Sequence, residues 1–128
     1  MDVQKAVWIL NCLRGFGIQR FKVLKEELGD LSRLFLPKTL KALSADPKWG
    51  AEFVSGFEEL LGSGDFEREA EQCAAQGIRM VSILDPDYPK NLASIYDPPL
   101  VLYVKGMLIP EDEAALAIVG TRHPTVYG

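Results

Sequence analysis

The hydrophobic pattern of this chain changes period at Gly77, and that change constrains the fold more than any other feature. Before it, apolar residues recur every three to four positions; after it, they come in short runs broken by proline and acidic turns. Val3, Ala6, Val7, Leu10 and Leu13 share one helical face, with Asp2 placed to cap it. The pattern breaks at Gly15-Phe16-Gly17 and resumes with Ile18, Phe21, Leu24 and Leu28, and Gly29 is set to end that helix. A short turn is expected through Leu31, Leu34 and Phe35, and another over 38–44. Asp46-Pro47 reads as the start of a helix carrying Trp49, Phe53, Phe57 and Leu60 inward as far as Gly62. The next helix runs from Asp65 to Gly77 and turns Phe66, Ala70, Cys73 and Ala74 to the core.

Beyond Gly77, Ile78 to Leu84 is a nearly continuous apolar run that suits a strand covered on both faces. Asp85-Pro86-Asp87-Tyr88-Pro89 is a turn in which the carboxylates serve as caps rather than as an acid/base pair. Asp97-Pro98-Pro99 forces extended backbone into a second strand, Leu100 to Val104, and a third is expected at Ala115 to Val119. The reading is a helical unit over residues 1–77, then a strand-rich unit over 78–128 in which three strands form a small sheet against the helices.

Charge divides the chain in a similar way. Residues 1–50 hold nine Lys/Arg against five Asp/Glu, a surplus of four positive charges. Residues 51–128 hold five against thirteen, a surplus of eight negative charges, so only the first part favours a polyanion. The net charge of −4 argues against a strong stand-alone nucleic-acid binder. No apolar run is long enough for a membrane span, and none resembles a signal peptide. Cys12 and Cys73 lack any metal-ligand or redox spacing and are read as small buried hydrophobes in a reducing cytoplasm.

Two constellations bear on function. In Leu13-Arg14-Gly15-Phe16-Gly17-Ile18, glycines flank a hydrophobic residue between two amphipathic helices. Such a turn directs amides at the start of the second helix toward a phosphate, with Arg14, Arg20, Lys22 and Lys25 adding charge. Arg14, Gly15 and Gly17 are therefore candidate DNA contacts in a turn resembling a helix-hairpin-helix; the alternative is a packing turn. The second is the strand leading into Gly120-Thr121-Arg122, which presents amides and a guanidinium fork suited to phosphate. It lacks the three-glycine dinucleotide fingerprint, although Thr125 is placed to cap a following helix. His123 stands alone, no metal-ligand cluster is present, and the chain shows no credible catalytic set; no cofactor is expected.

Read together, Tyr88-Pro89, Leu92, Ile95, Asp97-Pro98-Pro99, Leu102-Tyr103, Lys105-Gly106, Ala117-Ile118-Val119-Gly120-Thr121-Arg122 and Tyr127-Gly128 resemble the DprA/Smf family of DNA-processing proteins. The resemblance implies an α+β to α/β architecture, with a helix-hairpin-helix or sterile-alpha-motif-like helical domain followed by the first strands of an extended Rossmann fold. It also implies a cytoplasmic, non-enzymatic protein that binds and protects incoming single-stranded DNA during natural transformation, loads RecA recombinase onto it and forms a homodimer. Gly120, Thr121 and Arg122 would then contact the DNA backbone, Arg122 foremost. The family's Rossmann domain continues past the position of Gly128, so an N-terminal portion is expected here, with weak DNA binding of its own or none. Two other readings fit the same residues: a Rossmann-type nucleotide enzyme resembling phosphoribohydrolases, and a helical protein-interaction module.

Overall fold

The computed structural model describes residues 2–128. Its centre is the first helix, α1 (Val3–Cys12), whose N-terminus is capped by Asp2 accepting from the Gln4 amide at 2.9 Å. Of the predicted stripe, Ala6, Val7 and Leu10 are buried and Val3 and Leu13 half-buried, but Trp8 and Ile9 are buried as well, so every residue from Ala6 to Leu10 is hidden from solvent. A helix enclosed this completely needs partners on more than one side. One side is covered by α4 (Gly50–Ser63), where Gly56 permits close approach. A Cβ at Gly56 would stand 3.1 Å from Leu13 Cδ2. The other side is covered by α5 (Asp65–Ala75) and by a pair of strands.

Between α1 and α4 the chain forms α2 (Ile18–Leu28), a short 3-10 turn (Leu31–Phe35) and α3 (Pro37–Ala45). The expected α2 stripe of Ile18, Phe21, Leu24 and Leu28 is buried. Gly29 takes φ +73° and returns its amide to the Lys25 carbonyl at 2.8 Å, a conformation that favours glycine. Asp46-Pro47 does not begin α4. The Asp46 carboxylate accepts from the Lys48 amide within a turn, and the helix starts only at Gly50, whose φ of +79° separates turn from helix. Likewise α4 runs past Gly62 to Ser63, and left-handed Gly64 breaks it from α5.

Strand β1 (Ile78–Ser82) pairs antiparallel with β2 (Val101–Lys105), with Ile78 opposite Lys105, Met80 opposite Tyr103 and Ser82 opposite Val101. A short helix, α6 (Lys90–Ala93), lies in the long connection between them. The pair covers one face of the helical layer, and Leu100 and Val101 join the same buried cluster as α1, α2 and α4. Three expectations fail here. β1 is not covered on both faces: Arg79 is exposed and salt-bridged to Asp87, 2.5 Å away. The segment 115–119 forms no strand, and Leu116, Ile118 and Val119 are each at least 90% exposed, so the sheet has two strands rather than three. A hydrophobic strand owes its burial to a neighbouring strand and a covering layer, and the described residues offer 115–119 neither. Cys12 and Ala74 are exposed and Cys73 is half-buried, because α5 buries little beyond Phe66; both thiols are free. The result is a mixed α+β fold.

The joint between helices and strands is polar as well as apolar. Trp8 packs edge-on against Phe66 with centroids 5.6 Å apart, and its indole N–H donates to Glu69 Oε2 at 3.1 Å. Tyr103 of β2 lies near the same carboxylate; although the residue is 47% exposed, partial burial of the phenol first, then Glu69, push it up to about 12. A phenol raised above its ordinary value of 10 stabilises the fold while protonated. That contribution is intact below about pH 10 and is lost as pH climbs toward 12. Tyr103→Phe should therefore flatten the alkaline limb of a stability-against-pH curve followed by circular dichroism; an unchanged limb would remove Tyr103 from the joint.

Candidate nucleic-acid interface

Glycine at position 15 takes φ +74° at an exposed corner, and the Phe16 amide closes the turn onto the Leu13 carbonyl at 3.2 Å. Gly17 then serves as N-cap of α2 without any side-chain hydrogen bond, so the first-turn amides of that helix lack a side-chain cap. They are not, however, in a purely cationic setting. Asp97 Oδ1, from the Asp97-Pro98-Pro99 turn, lies 3.6 Å from the position a Cβ on Gly17 would occupy. A carboxylate there competes with any incoming phosphate for the positive end of the helix.

Arg14 is exposed on the rim of the same turn, and Arg20 lies in the first turn of α2. The Arg20 guanidinium is held over three aromatic rings, 5.7 Å from Phe16, 5.0 Å from Trp49 and 5.8 Å from Phe53. One arm of its fork donates to the Lys48 carbonyl at 3.2 Å, which holds that end in place. Trp49 is anchored beneath by its own N–H, which donates to Glu27 at 2.9 Å, and Glu27 also pairs with Lys48. Beside this stack is an open groove of about 370 Å³ that reaches Arg14 and Glu52. Sequence reading placed Arg20 only as nearby charge and Trp49 and Phe53 only as core. The i to i+4 spacings of Phe16 to Arg20 and of Trp49 to Phe53 were the available signal.

Gly120, Thr121 and Arg122 lie together in an exposed stretch, with no carboxylate within 4.0 Å of the Arg122 guanidinium among the described residues. Thr125 does not cap a helix; its carbonyl receives the Gly128 amide at 2.9 Å in a terminal turn. His123 is exposed. No hydrogen bond or ion pair joins the 120–122 turn to the α1–α2 turn, so the two sets of candidate residues remain separate.

The connection between β1 and β2 brings several motif residues into contact. Asp85 accepts from the Ser82 amide at 2.6 Å, the capping role expected of it. Tyr88 is buried and its hydroxyl donates to the Pro99 carbonyl at 2.6 Å, clamping the two proline turns together; burial pushes this phenol up. Asn91 Nδ2 donates to the Glu113 carbonyl at 2.7 Å and ties α6 to the following connector. No helix among the described residues is long and apolar enough to cross a membrane.

This clamped segment is the one that known proteins share. The family described as DNA recombination-mediator protein A matches residues 79–128. The DNA processing protein DprA of Bacillus subtilis (strain 168) is 50% identical over 54 residues, which cover 41% of this chain and 18% of that protein. The chain thus matches less than a fifth of the length of that relative. No solved structure gives a significant match. The similarity is confined to residues 79–128, where the proline turns, β2 and the Gly-Thr-Arg turn lie, and over that segment the chain matches the DNA recombination-mediator protein A family.

Proposed function

We propose that this chain takes part in DNA processing by contacting single-stranded DNA, with the Gly120-Thr121-Arg122 turn as the main backbone contact. The observation that carries the reading is Arg122: it lies inside the family-matched segment, and its guanidinium is exposed and unpaired among the described residues. An arginine free of carboxylates meets phosphate oxygens without first breaking an internal pair. In this reading residues 1–77 form a helical unit and residues 78–128 open the DNA-handling domain, whose first two strands rest on it. The finer role is that implied by the family: protection of incoming single strands in the cytoplasm and loading of RecA recombinase by a homodimer, without catalysis.

The test is fluorescence anisotropy with a labelled 20-mer of deoxythymidine at low salt, where weak binding is measurable. Arg122→Ala should weaken binding about tenfold, equivalent to about 1.4 kcal/mol, whatever the sequence of the strand. Unchanged affinity would remove Arg122 from the interface.

A further inference from the structure

The Gly120-Thr121-Arg122 turn uses nothing from the basic first part of the chain, yet the most organised cationic feature of the fold is there. Arg14 and Arg20 have no carboxylate within 4.0 Å among the described residues, unlike Lys5, Lys48, Arg68 and Arg79, which are all paired. Arg20 is also held in one orientation. Its guanidinium carbon lies 5.0–5.8 Å from the ring centres of Phe16, Trp49 and Phe53, and one end of the fork donates to the Lys48 carbonyl. A guanidinium held beside aromatic rings and bonded to a backbone carbonyl has already lost much of the rotamer freedom that binding would otherwise cost it. Its outer face is a planar surface of the kind on which unstacked nucleobases stack.

We propose that this face is a second contact for single-stranded DNA, in which Arg20 stacks a base over the Phe16–Trp49–Phe53 floor and Arg14 takes an adjacent phosphate. The inference rests on the DNA reading above but assigns a different surface and a different chemistry. The groove of about 370 Å³ beside Arg20 provides the space, and Arg14 stands on its rim. Charge complementarity selects the occupant: residues 1–50 carry the positive surplus of the chain, and a nucleic acid strand offers anion and aromatic face together. Two carboxylates limit the contact. Glu52 lines the groove, and Asp97 lies beside Gly17 at the start of α2. They direct the phosphate toward the Arg14 rim rather than onto the glycine amides, so the turn serves by placing Arg14 and Arg20.

The experiment uses the whole 128-residue chain, labelled deoxythymidine 20-mer, an abasic 20-mer of equal charge, and anisotropy at low salt. Arg14→Gln removes only an exposed side chain and should weaken binding about fivefold with an unchanged circular dichroism spectrum. Arg20→Gln should weaken it about tenfold, and Arg20→Lys should do the same, since the lysine keeps the charge but loses the plane. The abasic strand should bind the parent about tenfold less tightly and should be indifferent to Arg20→Gln. The proposal is overturned if Arg20→Lys restores parental affinity or if the abasic strand binds as well as the normal one. It is also overturned, with the Arg122 reading left standing, if Arg14→Gln and Arg20→Gln bind like the parent while Arg122→Ala binds weakly. The opposite split keeps the inference and removes Arg122, and a parent that binds neither strand removes both.

Discussion

Trp8→Ala is expected to cost about 3–5 kcal/mol of folding stability, the range for deleting a large aromatic from a close-packed core. The indole is only 4% exposed and is in the middle of the helix that every other layer packs against. Its removal opens a void against Phe66 of α5 and leaves Glu69 without the indole donor at a site where Tyr103 of β2 also converges. The loss therefore spreads across the joint between the helices and the strand pair. Urea denaturation checks the magnitude, and for a chain of this size the thermal midpoint should fall by more than about 10 °C. Trp8→Phe keeps most of the volume and should cost closer to about 1 kcal/mol, the net worth of the hydrogen bond to Glu69. A loss below about 1 kcal/mol for the alanine variant would mean that α1 is not enclosed as described.

What local sequence conveyed about this fold follows from how local each feature is. The α2 stripe from Ile18 to Leu28 and its stop at Gly29 were legible because periodicity and a glycine stop are encoded within a dozen residues. The burial of Trp8 and Ile9 was not, because the elements packed against α1, from the Leu31–Phe35 turn to β2, lie more than 20 residues downstream. Asp46-Pro47 carries a genuine start signal, but Gly50 at positive φ converts it into a turn. Ala115–Val119 has the composition of a buried strand without the neighbours that would bury it, and composition alone says nothing about neighbours. The candidate contacts divide in the same way. Gly120-Thr121-Arg122 is a contiguous motif and could be read directly. The Arg20 platform is assembled from α2, the Gly15–Gly17 turn and the start of α4, so its parts were visible while their convergence was not.

Binding of the deoxythymidine 20-mer should weaken about sevenfold when salt is raised from about 50 to about 200 mM. On single strands each neutralised phosphate contributes about −0.7 to the slope of log affinity against log salt. Two phosphate contacts, at Arg14 and Arg122, give a slope of about −1.4, which over a fourfold change in salt is a loss of that size, while the base stacked on Arg20 adds nothing to it. The slope counts local contacts, whereas the overall charge of −4 sets a long-range repulsion that salt relieves rather than strengthens. The two effects thus have opposite signs, and a steep negative slope in an acidic protein reports phosphates held at particular cations. Removing Arg122 should bring the slope to about −0.7, and removing Arg14 as well to about zero. A flat or rising dependence would mean that the strand is held without ion release, and neither the Gly-Thr-Arg turn nor the Arg14 rim would then be gripping its backbone.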